Sequence, residues 1–265
     1  MLEYILYLNI THDGDGQFMN RKLSLNRNEI KYLAMVAMLI DHIAMFFFSS
    51  GLPEAAPFRI AIYSLMRIIG RLTAPIMLFF LVEGFVHTSS RKKYGIRLLV
   101  FGLISQIPYA LSHYNSLWKL DFNVIITLFV TFLMLIAAES INNRLVNRLV
   151  VFALIMVTFC CDWGVIGPFM AWLFYQNRDD RKAQIKYFSI ICAIQVISAA
   201  VFLEMNGNHW YGELWQVGMF LVIPVLLCYN GESGSKSPIN KWIFYIFYPL
   251  HLMVFWIMKY YVLVG

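Results

Sequence analysis

The chain has 265 residues, of which 60% are apolar, 17% aromatic and only 14% charged. A soluble globular chain carries roughly 45–50% apolar and about 25% charged residues, so a soluble enzyme, a disordered tail, a secreted disulfide scaffold and a coiled coil are excluded. The net charge of +6 does not point to nucleic acid, because the Lys and Arg residues fall mostly in short loops between apolar runs, where they set membrane topology.

Residues 2–10 are apolar but too short to span a bilayer, and Glu3 interrupts them. Thr11 to Gly16 reads as a turn-rich loop. Its Asp13 and Asp15 look like half of a calcium loop, but no glutamate sits at the distance such a loop needs. No basic stretch precedes the apolar run and no small-residue cleavage site follows it, so a signal peptide is not expected. Translation from Met19 would give a basic, well-patterned start. Residues 1–30 are therefore read as a polar or interfacial segment and 31–265 as one transmembrane domain.

Apolar runs follow at 32–48, 58–87, 96–111, 122–138, 149–160, 164–175, 187–203, 214–229 and 242–263. A helix needs about 20 residues to cross a 30 Å core, and roughly 17 can suffice. The second run is long enough to contain a break near Gly70 and Pro75, and it is counted as one span. The two runs flanking Cys160 to Trp163 are short. Basic side chains gather in alternate loops: Arg21, Lys22, Arg27 and Lys31, then Arg91, Lys92, Lys93 and Arg97, then Arg144 and Arg148. Arg178, Arg181, Lys182 and Lys186 follow, and finally Lys236 and Lys241. The intervening loops hold Glu54, Lys119 with Asp121, Asp162, and Glu204 with Glu213. The positive-inside rule makes the basic side cytoplasmic. The expected architecture is an all-α polytopic bundle of about nine spans in the cell (inner or plasma) membrane, N-terminus inside. Gly231 to Ser237 reads as a flexible cytoplasmic loop. Cys160, Cys161, Cys192 and Cys228 have no zinc or redox spacing and read as packing residues, and no metal site is expected.

The ionisable groups inside the first two runs are Asp41, Arg67, Arg71 and Glu83. Each costs about 2.5–3.5 kcal/mol at a helix centre, so they are expected to face the bundle interior or a wet cavity and to pair. Adjacent helical residues do not face each other, so Asp41 is expected to pair with an arginine of the second run while His42 faces a cavity. His42 there is a general base or a buried ring bonded to a carbonyl. Arg67 and Arg71, four apart, share a helix face and suit a phosphate or carboxylate, or they balance Asp41 and Glu83 internally. Glu83 and His87 are a proton relay or a helix-end pair. Gln106 and Pro108 end the third span, Asn123 opens the fourth, and Asp162-Trp163-Gly164 lies between the short spans, as gate residues, caps or anchors. The last span carries Tyr248, Pro249 and His251 at membrane depth.

These motifs resemble the TraX family of integral-membrane proteins, named for a conjugation-linked pilin acetylase. The likeness rests on Met38-Leu-Ile-Asp41-His42, Arg67-Ile-Ile-Gly-Arg71-Leu-Thr-Ala-Pro75 and Glu83-Gly-Phe-Val-His87-Thr88. It continues through Arg97 to Tyr109, Asn123-Val124, Asp162-Trp163-Gly164 and Phe247-Tyr-Pro-Leu-His251. Gln106 stands where many relatives carry an acid, Ala110 where a small polar residue is common, and Ala44 where glycine is usual. The resemblance implies an acyltransferase, acetyl in the first instance, using cytosolic acetyl-CoA (acyl-CoA) as co-substrate with no permanently bound cofactor. The acceptor would be a hydroxyl or amine on a glycan, a peptide N-terminus or a small molecule. By the same resemblance His42 is the catalytic histidine and Asp41 its structural companion. Arg67, Arg71, Glu83, His87, Asn123, Tyr248 and His251 are the candidate substrate- and donor-binding residues. The alternative function is a proton-coupled transporter built on the same buried groups. Against it, the charges crowd into the first two spans instead of recurring in matched halves.

Overall fold

A computed structural model of the chain describes residues 7–12, 18–22, 24–49 and 56–262, the first two stretches as backbone. Asp13, Asp15 and Glu54 lie outside the described residues. At the start, β1 (Tyr7–His12) pairs antiparallel with β2 (Phe18–Lys22), so the polar segment contributes a hairpin ahead of the helices. The helical part begins at Arg27, inside the segment read as polar or interfacial, because Asn26 and Glu29 form a capping box. The Asn26 side chain accepts from Asn28 N and Glu29 N, and Glu29 Oε2 accepts from Asn26 N at 2.7 Å.

Helix α1 (Arg27–Ile43) runs on through a π turn, Ala44–Phe48. The second apolar run is two helices in line, α2 (Pro57–Gly70) and α3 (Thr73–His87). They part at Arg71 and Leu72 because Pro75 has no N–H to give the carbonyl of Arg71, four residues back. Next come α4 (Arg91–Tyr114), α5 (Val124–Ser140), α6 (Arg144–Val157) with a 3₁₀ turn at Thr158–Cys160, and α7 (Ile166–Gln176). The chain ends with α8 (Arg181–Met205), a 3₁₀ stretch Trp210–Leu221 leading into α9 (Val222–Leu227), and α10 (Pro238–Ile257) with a terminal π turn, Met258–Val262. Each of the nine apolar runs falls on a helical segment. By length and composition six of these can cross a membrane, which makes this a multi-pass membrane protein. Helix α5 has 17 residues, while α6 and α7 have 14 and 11, short of a full crossing.

The chain alternates direction, and the ends of its segments meet on two faces. On one, Leu25 N donates to Cys228 O and Arg27 N to Glu232 O, both at 2.8 Å, and Arg91 pairs with Glu139. On the other, Trp256 Nε1 donates to Asn115 Oδ1 at 3.0 Å, and Phe122 N donates to Cys160 O at 2.9 Å. The loops rich in Lys and Arg share the first face. The loop after Gly231, read from sequence as flexible, is tied down there: Asn28 Nδ2 and Asn240 Nδ2 both donate to Ser235 O.

Helix α3 is the hub. Phe79, Phe85, Ile76, Leu78 and Leu81 are fully buried, as expected of a helix apolar all round. Phe79 meets Phe174 edge-on at 5.4 Å and Phe85 meets Phe132 at 5.5 Å. Helix α8 instead exposes Ile190, Ile194, Ile197 and Val201, a stripe at helical spacing that suits lipid and would be costly in water. Helix α2 lies against the 3₁₀ stretch through Gly218, where a Cβ would come within 2.1 Å of the carbonyl oxygen of Ile68.

Candidate functional site

A cavity of about 260 Å³ opens between α1, α2, α3, α4, α5 and α10. Its end near the C-terminal end of α1 is lined by Asp41, His42, Arg67, Arg71, His113, Asp162 and Trp163.

The charges there pair across helices. Arg67 Nη1 lies 2.8 Å from Asp41 Oδ2, and Arg71 Nη2 lies 3.2 Å from the same oxygen. Four-residue spacing at the end of α2 puts both guanidinium groups on one face. The indole of Trp215 covers them, with centroid distances of 4.3 Å and 4.6 Å, and Trp163 lies 5.1 Å from Arg71. Trp163 holds a left-handed backbone, φ 57°, a conformation that bulky residues seldom adopt outside sites that constrain them. Among the described residues the buried Nε atoms of Arg67 and Arg71 find no hydrogen-bond partner, leaving donor capacity beyond what Asp41 takes up.

The carboxylate fits because residue 70 is glycine. A Cβ there would stand 2.1 Å from Asp41 Oδ1. Gly70→Ala is therefore expected to push Asp41 off both arginines, at about 1–3 kcal/mol. A lowered melting temperature in detergent checks this, and an unchanged one would contradict the packing.

His42 is held from behind. Its Nδ1 lies 2.7 Å from His251 Nε2, and His251 Nδ1 donates to Phe247 O at 2.8 Å. In the neutral pair the second bond fixes His251 Nε2 as an acceptor, so His42 Nδ1–H donates to it. The lone pair of His42 is then on Nε2. Phe247 stacks on His251 at 4.6 Å, with the planes at 11°. His113 stands beside them, its ring centroid 6.2 Å from that of His42 and its Nδ1 donating to Tyr109 O at 3.0 Å.

Asp162 sits outside the candidate spans, in the turn before α7. Burial pushes its carboxyl up to about 6, with the Arg71 charge acting in the opposite direction. A folded pKa above the unfolded 3.8 means that folding disfavours the ionised form. The penalty is present above about pH 6 and is relieved as pH falls through that value towards the unfolded pKa. The wild type is thus expected to gain thermal stability between pH 7 and pH 5 relative to Asp162→Asn. Parallel curves for the two proteins would refute it.

Of the sequence-predicted residues, Asp41, His42, Arg67, Arg71 and Tyr248 line this chamber, and His251 supports it from behind. Others lie elsewhere. The expectation that Glu83 balances the arginines is corrected: its near neighbours are His87, at 4.0 Å, and Arg181. Twelve residues of helix past Arg71 carry it about 18 Å along the axis, and Asp162 takes its place near Arg71. His87 is exposed, donates to Glu83 O at 2.9 Å, and lines a second cavity. Asn123 is also corrected. It is fully buried and caps α5, while its Nδ2 donates to Gly102 O and Gln106 Oε1, both at 2.8 Å. All its hydrogen-bonding capacity is structural. Gln106 also donates to Asp121 O at 2.8 Å, a combination of donor and acceptor that a carboxylate in its place could not supply.

Sequence reasoning missed His113 and Trp215. The third apolar run ends at Leu111, but α4 continues to Tyr114 and brings His113 in. Trp215 had no signal beyond its aromatic type.

A family model described as "TraX protein" matches residues 26–259. The chain is 30% identical over 244 residues to a protein of Dichelobacter nodosus named "Probable fimbrial assembly protein FimC, serogroup H1", a match covering 88% of this chain and 96% of that protein. No solved structure matches.

Proposed function

Because the chain belongs to the TraX family, we propose that it is a membrane acyltransferase that moves an acetyl group from cytosolic acetyl-CoA to an amine or hydroxyl acceptor. The observation that carries the reading is the His42–His251 bond at 2.7 Å beside the Arg67/Arg71 pair in one chamber. A neutral imidazole with its tautomer fixed and a lone pair on Nε2 is equipped as a general base. His42 takes the proton from the acceptor as the acceptor attacks the thioester carbonyl. The oxyanion that develops is stabilised by guanidinium donors. Collapse of the tetrahedral intermediate breaks the carbon–sulfur bond, and the departing thiolate recovers the proton from His42. The name of the Dichelobacter relative supports a fimbrial subunit, by its N-terminal amine, as the first acceptor to try.

The test supplies purified protein with labelled acetyl-CoA and a peptide matching a fimbrial subunit N-terminus, alongside small amines and sugars. Label on any acceptor supports the reading. Proton-driven uptake into proteoliposomes with no acetyl transfer would replace it with a transporter.

A further inference from the structure

We propose that the second cavity, about 330 Å³ beside the N-terminal end of α1, is the docking site for the nucleotide end of the acyl donor, its 3′-phosphorylated adenosine diphosphate. The identity of the ligand rests on the acyl-CoA reading above. Arg27, Lys31, Arg97, Lys236, Lys241 and His87 line this cavity, and no Asp or Glu does among the described residues. Topology signalling requires only that basic residues lie on one side of the membrane. It does not require five basic side chains from three separate stretches of chain to converge on one concave wall. Among the described residues none of the five lies within ion-pair distance of an Asp or Glu, and Arg27 Nε and Arg97 Nε find no hydrogen-bond partner there. Among the described residues such a wall has no acidic counter-charge, and a ligand with about three to four negative charges on phosphate supplies it.

The two cavities also adjoin. Lys31, Phe80, Tyr94, Lys241 and Tyr245 line both. From Lys31 to His42 is about 16 Å along α1, and the wall between them includes Met38, Leu98 and Phe244. That is a passage for a long, narrow, uncharged thioester arm running from a phosphate anchor to the base.

Two measurements test this, both in nanodiscs. The first compares kcat/KM for acetyl-CoA with that for acetyl-pantetheine, which lacks the nucleotide, in wild type and in a Lys236→Ala/Lys241→Ala variant whose altered side chains are exposed. The preference for acetyl-CoA is expected to fall about tenfold or more, and an unchanged preference overturns the site. The second titrates adenosine 3′,5′-bisphosphate into His42→Ala protein in phosphatidylcholine discs, with and without phosphatidylglycerol. Binding in phosphatidylcholine that weakens with salt and in the double lysine variant supports the site. Absence of that binding overturns it, as does abolition of binding by phosphatidylglycerol, which would assign the cavity to lipid headgroups. Charge-dependent binding by a protein that transfers no acetyl group would sink the proposed function and leave the anion site standing. Transfer with an unchanged donor preference would do the reverse.

Discussion

Replacing His42 with alanine is expected to lower acetyl transfer by about 10²–10⁴-fold in kcat, the usual contribution of a positioned general base. The effect should fall on kcat and leave binding of adenosine 3′,5′-bisphosphate intact, because the basic cavity lies about 16 Å away along α1. A turnover measurement with labelled acetyl-CoA decides it, and equal rates in wild type and variant would remove His42 from the chemistry. His251→Phe extends the test, since it keeps an aromatic ring and removes the acceptor for His42 Nδ1–H. It should lower kcat by less than the loss of His42 and displace the pH–rate profile. A purely structural role for His251 would leave that profile in place.

Asp41→Ala should have the largest effect on stability. Asp41 and Arg67 are both buried, at 8% relative exposure, and one carboxylate oxygen serves two guanidinium groups. Removing the shared anion leaves two cations together under Trp215, where cation–π attraction alone does not offset their repulsion. Breaking a buried pair by deleting one partner costs about 3–5 kcal/mol, a large fraction of a protein's net stability. Thermal unfolding in detergent should therefore fall sharply for Asp41→Ala. Adding Arg67→Met and Arg71→Met to the same chain should recover much of the loss, because a buried ionic cluster can be replaced by apolar residues of similar volume. That recovered protein is expected to transfer no acetyl group. A single Asp41→Ala variant as stable as wild type would mean that the arginines find another counter-ion. Asp162, which bears on Arg71 electrostatically, would be the first to examine.

Composition and periodicity alone determined the helical membrane class, the nine apolar runs, and the loops where basic residues gather. These are local properties, since burial in lipid is decided by about 20 consecutive residues at a time. The cross-helix pairing of Asp41 was legible for a related reason: a carboxylate at membrane depth has few affordable states, and two arginines four apart stood in the next run. The displacement of Glu83 from that cluster was legible in principle, since the helical rise alone separates it from Arg71. Other features required the tertiary structure. His251 is 209 positions from His42, and no spacing rule connects α1 to α10. Asn123 as a cap and Asn123 as a ligand look the same in sequence, because one side-chain amide serves either role until its partners are known. The tautomer of His42 depends on a carbonyl in α10, and the basic wall of the second cavity depends on three chain segments meeting. Residue type limits what each group can do chemically, whereas the packing of distant helices decides which groups come within hydrogen-bond reach.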